Sequence, residues 1–332
     1  MSEFQVKAKD ILFPDYRGRL TEGVTYNPSN NTLIWVDIIQ GEVHRASLLE
    51  GKFDESHEKL KFEDPKESIG AIALTSDDNV IVICGKQGIG KGSFKTGKIE
   101  YFLKYNHNET QRKRLRSNDG IIDPWGHLWI GVMTDFEITE QEGKVSPEGK
   151  LYRINCHDLT IQTMVDNCYI PNGLAFSQDR KHFYWTDSLT HTIWKYDYDY
   201  IPNTLSNKRK HIDVREVDVL EQFSSPEPDG LVMTRSGDIF SAIFSTSRVL
   251  HFDEHGKYVE EYKIPAERIT SVTIGGKSND ELYITTGHLH LSDSSALIDP
   301  TNKTGDLGGF LFRYKLNKPH DVHVKHIWGG KL

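Results

Sequence analysis

The sequence contains little cysteine, no long hydrophobic run and no excess of positive charge. Its 332 residues include three cysteines, Cys84, Cys156 and Cys168, which lack the spacing of metal ligands and are expected to be reduced thiols. No run of 18 or more apolar residues occurs, so no membrane span is predicted. The net charge of -8 argues against nucleic-acid binding, because proteins of that class usually present a basic face.

The composition otherwise indicates a folded chain that is rich in β-strands. Apolar residues make up 37% and aromatic residues 11%, which is typical of a packed core. Helical periodicity is nearly absent, and short apolar runs separated by turn residues predict many strands. The first ten residues, MSEFQVKAKD, lack the basic start and apolar stretch of a signal peptide. We therefore expect a cytoplasmic protein, with the nucleus as the alternative.

One sequence unit recurs six times. Each copy has a small residue, an apolar strand, a polar turn, a second apolar-aromatic strand and a third strand. The first two strands of the copies span residues 22–37, 69–84, 119–132, 172–187, 229–243 and 271–286. The second strands begin 47, 47, 55, 56 and 43 residues apart. Units of that length predict an all-β, six-bladed β-propeller with four-stranded antiparallel blades around a central channel, formed by residues 1–332 as a single domain.

Three inserts and the chain ends lie outside this repeat. We expect the inserts at 134–149, 200–210 and 287–308 to be loops over one face. The segment FQVKAKDILF, which precedes the first copy, is expected to be a spare strand. Either this strand or the C-terminal strand is predicted to close the ring, because an open ring would leave an unpaired edge.

The first residues of the six copies occupy equivalent positions. In a propeller the innermost strands line the channel, so their equivalent ends converge on its axis. The converging pairs are Glu22-Gly23, Ile69-Gly70, Asp119-Gly120, Asn172-Gly173, Asp229-Gly230 and Ser271-Val272. An Asp-Gly or Asn-Gly pair taken alone is more typical of a turn. Turns do not require a common register, however, so the shared register favours a common site.

The polar residues that converge offer only oxygen ligands. Glu22 and Asp229 are carboxylates from distant copies, Asn172 is an amide, and Asn118 lies beside Asp119. Carboxylates that share a small space repel each other, and a cation would relieve that repulsion. Oxygen donors without cysteine or histidine suit hard divalent ions such as Ca²⁺, Mg²⁺ or Mn²⁺. The sequence therefore predicts one divalent cation in the channel.

At these residues the chain resembles the SMP-30/gluconolactonase/luciferin-regenerating-enzyme family, which includes regucalcin. The resemblance covers about residues 20–314 and is carried by LIWVD, RSNDGIIDPWGHLWIGVM, PNGLAFSQDRKHFYWTDS, PDGLVMTRSGDIF and ITSVTIGGKSNDELYITT. It implies a six-bladed propeller with one divalent metal in its channel, which hydrolyses a sugar lactone of the gluconolactone type. The candidate metals are Ca²⁺, Zn²⁺, Mg²⁺ and Mn²⁺.

The resemblance also implies roles for single residues. The implied metal ligands are Glu22, Asn172 and Asp229. Arg116 and Asn118 are implied to contact the substrate, whereas the repeat register alone would select the neighbouring Asp119, so all three are candidate substrate-binding residues. Asp229 is the expected acid–base residue when water attacks the lactone carbonyl, and Asp119 is the alternative.

Some positions depart from the family pattern and leave the substrate open. Ser117 stands where many relatives carry an aromatic residue, and Phe136 stands where several carry an acidic one. A calcium-binding regulatory protein of regucalcin type without significant catalysis is therefore the alternative function, and a scaffolding propeller is the third. For Arg116, the alternative is a solvated basic loop. We expect a monomer that binds a small-molecule lactone, and neither nucleic acid nor a membrane.

Overall fold

The strands form six sheets in the part of the chain that the computed structural model describes, residues 2–291, 293 and 295–332. The first strand, β1 (Ser2–Gln5), precedes the first sheet. Each sheet then follows chain order from its innermost strand outward, so it is an antiparallel meander. The innermost strands contact one another from sheet to sheet, and the sixth contacts the first. This arrangement confirms the predicted six-bladed β-propeller.

Four blades have the four strands expected. Blade 1 comprises β2 (Thr21–Asn27), β3 (Thr32–Asp37), β4 (Glu42–Ser47) and β5 (Glu58–Lys61). Blade 2 comprises β6 (Ile69–Leu74), β7 (Val80–Gly85), β8 (Gly88–Ser93) and β9 (Lys98–Lys104). Blade 3 comprises β10 (Leu115–Ile122), β11 (Leu128–Thr134), β12 (Gly149–Ile154) and β13 (Ile161–Cys168). Blade 4 comprises β14 (Pro171–Phe176), β15 (His182–Asp187), β16 (Thr192–Asp199) and β17 (Thr204–Asp213).

The last two blades differ in strand number. Blade 5 comprises β18 (Glu227–Met233), β19 (Ile239–Phe244), β20 (Arg248–Phe252) and β21 (Tyr258–Lys263), with β1 as a fifth strand. Blade 6 comprises β22 (Arg268–Gly275), β23 (Glu281–Gly287) and β24 (Phe312–Lys315). The described helices include α1 (Phe53–Ser56), α2 (Glu109–Arg114) and α3 (Phe136–Glu142). Among the described residues, no helix has the length and apolarity needed to cross a membrane.

The N-terminal segment explains why blades 5 and 6 differ. Strand β1 pairs in parallel with β21, the outer strand of blade 5. The chain then passes to blade 6, where Ile11 forms an isolated bridge with Phe312 and the Leu12 N–H donates to the Leu311 carbonyl over 2.8 Å. The expected spare strand therefore covers the edges of two neighbouring blades, and blade 6 has this short contact in place of a regular fourth strand.

Every innermost strand contains a register shift near its start. In β10, for example, Ser117 pairs with Val132 and Gly120 with Ile130, so one additional residue is inserted on the inner strand. The glycines beside the bulges of β6, β14 and β18, which are Gly70, Gly173 and Gly230, lie against the next blade. A Cβ atom on Gly173 would lie 2.6 Å from the backbone oxygen of Asp229, which explains why this position requires glycine.

Strand direction determines which inserts lie at the face of the ring where the innermost strands begin. This face is called the cavity face, because it contains the cavity described below. The second strand of each blade returns to this face, so the connections after β11 and β23 lie there and contain the inserts at 134–149 and 287–308. The third insert follows β16, which ends at the opposite face. Most of that insert continues as β17, so the expectation that all three inserts cover one face is wrong for 200–210.

The C-terminal segment crosses the face opposite the cavity. Val322 bridges Thr234 at the end of β18, and the Trp328 N–H donates to the Leu74 carbonyl at the end of β6 over 2.8 Å. Trp328 is buried, with 3% of its surface exposed. The segment therefore spans the channel from blade 5 to blade 2 and places Lys325 near the axis.

Candidate active site

Five of the six predicted site residues line one cavity at the face where the innermost strands begin. The cavity has a volume of about 170 Å³. The five residues are Glu22, Arg116, Asn118, Asn172 and Asp229. They come from β2, β10, β14 and β18, that is, from blades 1, 3, 4 and 5. Convergence of distant segments at one register is the outcome that the repeat predicts.

Two buried aspartates fix the backbone that leads into these inner strands. Asp37, at the end of β3, accepts from the backbone N–H of Arg19 over 2.6 Å and of Leu20 over 3.2 Å. Asp187, at the equivalent end of β15, accepts from the N–H of Ile170 over 3.0 Å. Because these N–H groups precede Glu22 and Asn172, the two aspartates position the proposed ligands without lining the cavity themselves.

The amides of the site form a continuous hydrogen-bonded chain. Asn118 Nδ2 donates to Asn172 Oδ1 over 3.1 Å, and Asn172 Nδ2 donates to Ser188 Oγ over 3.0 Å. Ser188 Oγ in turn donates to the carbonyl of Pro228 over 2.7 Å, one residue before Asp229. These bonds fix the amide orientation, so Asn172 directs its oxygen toward Asn118 and its nitrogen toward Ser188.

Glu22 and Asp229 are carboxyl groups buried at one end of the cavity. Burial is the largest cause and the charge of Asp119 the next, and together they raise the pKa of Glu22 to about 8. Burial also raises the pKa of Asp229 well above its usual range, and the charge of Glu22 is the next cause. The two groups therefore do not both ionise readily at neutral pH unless a cation compensates their charge.

Arg116 is a buried residue of β10, with 3% of its surface exposed, so the alternative of a solvated loop is wrong. Its guanidinium lies over the ring of Phe136, 4.0 Å from the ring centroid. Its Nη1 donates to Asn118 Oδ1 over 2.8 Å, whereas Nε is buried without a hydrogen-bond partner among the described residues. Burial lowers the pKa of Arg116 to about 10, so the guanidinium remains charged at neutral pH.

Asp119 is the predicted site residue that the structure does not bring to the cavity. The bulge in β10 separates Asn118 from Asp119, and Asp119 lines a different, smaller void in the channel together with Lys325. Burial raises the pKa of Asp119, while the charge of Lys325 and the Gly120 N–H lower it. A direct contact of Asp119 with substrate in this cavity is thus not supported by its position, and its influence on Glu22 is electrostatic.

Glu227 lines the cavity, although sequence reasoning did not select it. It lies two residues before Asp229 on β18, and alternate residues of a strand face the same side, so this spacing was an available signal. Burial raises the pKa of Glu227, and its charge adds to the raised pKa of Asp229. Ser188, which follows β15, also lines the cavity.

The polar end of the cavity fits a divalent cation. Asp229 Oδ1 is buried and has no hydrogen-bond partner among the described residues. Within the same described part, no group of three or more His, Cys, Asp or Glu side chains could hold a metal ion. A cation here would therefore need the amide oxygen of Asn172 as a third protein ligand beside the carboxylates of Glu22 and Asp229, an all-oxygen set that suits hard ions.

A family model described as an SMP-30/Gluconolactonase/LRE-like region matches residues 20–288. The chain belongs to this family. The match confirms the family expected from the sequence. Lactonases occur among the relatives of this SMP-30/gluconolactonase-family chain, which supports hydrolase activity at the level of the family.

Individual comparisons extend over nearly the whole chain. This family member is 54% identical to the cell growth-regulated gene 1 protein of Candida albicans, over 98% of each chain. It is 29% identical to a pentonolactonase of Haloferax volcanii, over 89% of this chain and 90% of the relative. The crystal structure of the calcium-binding protein regucalcin from Agrobacterium tumefaciens superposes with a TM-score of 0.79 at 21% identity, covering 100% of both chains, which supports the fold.

Proposed function

We propose that this chain is a lactonase that depends on one divalent cation held by Glu22, Asn172 and Asp229. The observation that carries the proposal is the buried Oδ1 of Asp229, which has no hydrogen-bond partner in the described part of the chain and lies beside the carboxyl of Glu22, in a cavity of about 170 Å³. The pentonolactonase among the relatives makes a sugar lactone the first class of substrate to test. Calcium, zinc, magnesium and manganese are the candidate ions.

The residues around the cavity have different roles in the proposed hydrolysis. A divalent cation, when bound, supplies positive charge that polarises the lactone carbonyl. Asp229 accepts the proton of the attacking water, whose oxygen forms the new bond to the carbonyl carbon. The acyl–oxygen bond of the ring then breaks, and the ring oxygen takes up a proton to give a hydroxy acid. Arg116 and Asn118 orient the lactone, and the Nε–H of Arg116, which has no partner among the described residues, is the available donor.

The test uses chelator-stripped protein to which single divalent ions are returned. Acid release from D-glucono-δ-lactone and from a panel of other lactones is followed after each addition. We expect turnover with at least one ion and its loss in Asp229→Asn, because the amide cannot accept the proton. Asp54→Asn, an exposed position on α1, is the matched control and should retain turnover.

Three results would contradict the proposal or one of its parts. Full turnover in the presence of excess chelator would exclude the cation. Tight cation binding without turnover of any lactone would favour the alternative, a calcium-binding regulatory protein. Equal activity of Asp229→Asn and the unmodified protein would remove Asp229 from its catalytic role.

A further inference from the structure

The cavity has one polar end, and the rest of its wall is apolar. The carboxyl groups, Arg116 and the amides occupy the polar end. The wall beyond them includes the side chains of Leu20, Ile38, Met133, Phe136, Ile170 and Phe244. These residues belong to blades 1, 3, 4 and 5 or to the segments that join their strands, so apolar groups surround the site on several sides.

Most hydrogen-bonding groups in the cavity already have protein partners. Asn118 Nδ2 donates to the carbonyl of Pro171 as well as to Asn172, and Ser188 Oγ donates to the carbonyl of Pro228. Two buried atoms at this site, Arg116 Nε and Asp229 Oδ1, have no hydrogen-bond partner among the residues that the structure describes, and both lie at the polar end. Thr139 adds one hydroxyl to the lining. A substrate hydroxyl that faces the apolar wall away from Thr139 would therefore lose its hydrogen bonds to water without replacement.

A second void continues the cavity outward. It has a volume of about 560 Å³ and shares Phe136, Thr139 and Leu291 with the inner cavity. Glu137 and Glu140 of α3 line this outer void. A substituent several atoms long can thus extend from the polar end along the apolar wall and reach the outer void.

We propose that the preferred substrate is a lactone whose ring carries an apolar substituent, rather than a fully hydroxylated sugar lactone. This inference rests on the proposed function, because a cation held by Glu22, Asn172 and Asp229 would draw the lactone carbonyl to the polar end. The ring carbon next to the ring oxygen then carries an alkyl group that lies against Met133, Phe244 and their neighbours. Burial of that alkyl group supplies binding free energy, which a hydroxylated chain would not gain there.

The test compares lactones with the cation-loaded protein. The series is δ-valerolactone, δ-hexalactone, δ-octalactone and δ-decalactone, with D-glucono-δ-lactone as the hydroxylated counterpart. Each kcat/KM is divided by the rate constant for hydroxide attack on the same lactone, since hydroxyl substituents activate the carbonyl. We expect this ratio to rise by about fourfold for each methylene group that becomes buried. The best alkyl lactone should exceed the gluconolactone by about fifteenfold or more, the gain of two such methylene groups.

A pair of isosteric variants checks the location of the substituent. Val145 lines the cavity, and Val145→Thr replaces one methyl group by a hydroxyl with little change of shape. We expect the kcat/KM of the alkyl lactone, relative to that of D-glucono-δ-lactone, to fall about fivefold, because the new hydroxyl would be buried against the alkyl group. Val259→Thr, on the outer strand β21 of blade 5, should leave the ratio unchanged.

The outcomes separate this inference from the proposal on which it rests. A corrected kcat/KM that is higher for D-glucono-δ-lactone than for every alkyl lactone would overturn the inference and leave the lactonase proposal intact. An unchanged ratio in Val145→Thr would also count against it. Failure of all lactones with every ion would overturn the proposed function and this inference together.

Discussion

Replacement of Glu22 by glutamine should stabilise the cation-free protein while removing its response to cations. The side chain of Glu22 is 8% exposed, and its carboxyl accepts from the Gly23 N–H over 2.9 Å. A glutamine oxygen can accept the same bond. Its NH2 group can donate to the carboxyl of Asp229, with which Glu22 interacts directly. The variant therefore keeps the local hydrogen bonds and removes a buried carboxyl group whose ionisation beside Asp229 is unfavourable.

The expected increase in the free energy of unfolding follows from the pKa of Glu22 and depends on pH. The pKa is about 8 in the folded protein and 4.5 for an unperturbed glutamate, so the folded protein binds more protons than the unfolded chain between those values. Stability of the native protein therefore falls as pH rises from 4.5 to 8. The loss is about 1 kcal/mol at pH 5 and about 3 kcal/mol at pH 7, and glutamine avoids it. The advantage of Glu22→Gln should thus grow with pH.

The assay is urea denaturation in excess chelator at pH 5, 6, 7 and 8, repeated with each divalent ion. In chelator, the free energy of unfolding of Glu22→Gln should exceed that of the native protein by the amounts given above. With an ion that binds, the native protein should gain stability and the variant should gain much less. Glu100→Gln, at an exposed position of the edge strand β9, should differ from the native protein by about 0.5 kcal/mol or less.

The reasoning is refuted if Glu22→Gln is the less stable protein at pH 7 in chelator. It is also refuted if the stability difference is the same at every pH, because the effect would then not come from ionisation of the carboxyl. An equal stabilisation of both proteins by every ion that binds would show that Glu22 is not a ligand.

Two further predictions concern packing and acid stability. Gly173→Ala should lower the free energy of unfolding by about 1–3 kcal/mol and reduce turnover, measured on the same protein, because the new Cβ would lie 2.6 Å from the backbone oxygen of Asp229. Burial lowers the pKa of His107 to about 4, so protonation favours the unfolded chain below pH 6.5. Between pH 7.5 and pH 5, the free energy of unfolding of the native protein should therefore fall by about 2 kcal/mol more than that of His107→Gln. Urea denaturation at the two pH values measures this difference.

The repeat was sufficient to predict the fold and most of the polar site. The copy at 69–84, for example, corresponds to β6 (Ile69–Leu74) and β7 (Val80–Gly85) almost residue for residue. Glu22, Asn172 and Asp229 converge because equivalent positions of successive inner strands meet around the channel. The alternation of apolar residues and the turn residues predict each pair of strands locally. Closure of the ring then brings the equivalent ends of the inner strands together.

The sequence was less informative where the backbone departs from regular pairing. Asn118 and Asp119 are adjacent, and only the bulge in β10 determines that Asn118 faces the cavity while Asp119 faces the channel void. Strand alternation assumes uninterrupted pairing and cannot locate such an insertion. The parallel pairing of β1 with β21 was also not predictable, since an isolated terminal strand does not specify its partner.

The residues that determine the chemistry of the site lie in the regular strands, whereas many that determine its substrate specificity lie between strands. The proposed cation ligands lie on inner strands, where the repeat constrains their position. Much of the apolar wall instead comes from residues between strands, such as Ile38, Val145 and Leu291, whose positions depend on insert length and conformation. A change in an insert can therefore alter the substrate while the cation site stays intact. Relatives that share the inner strands are accordingly better evidence for lactone chemistry than for the identity of the lactone.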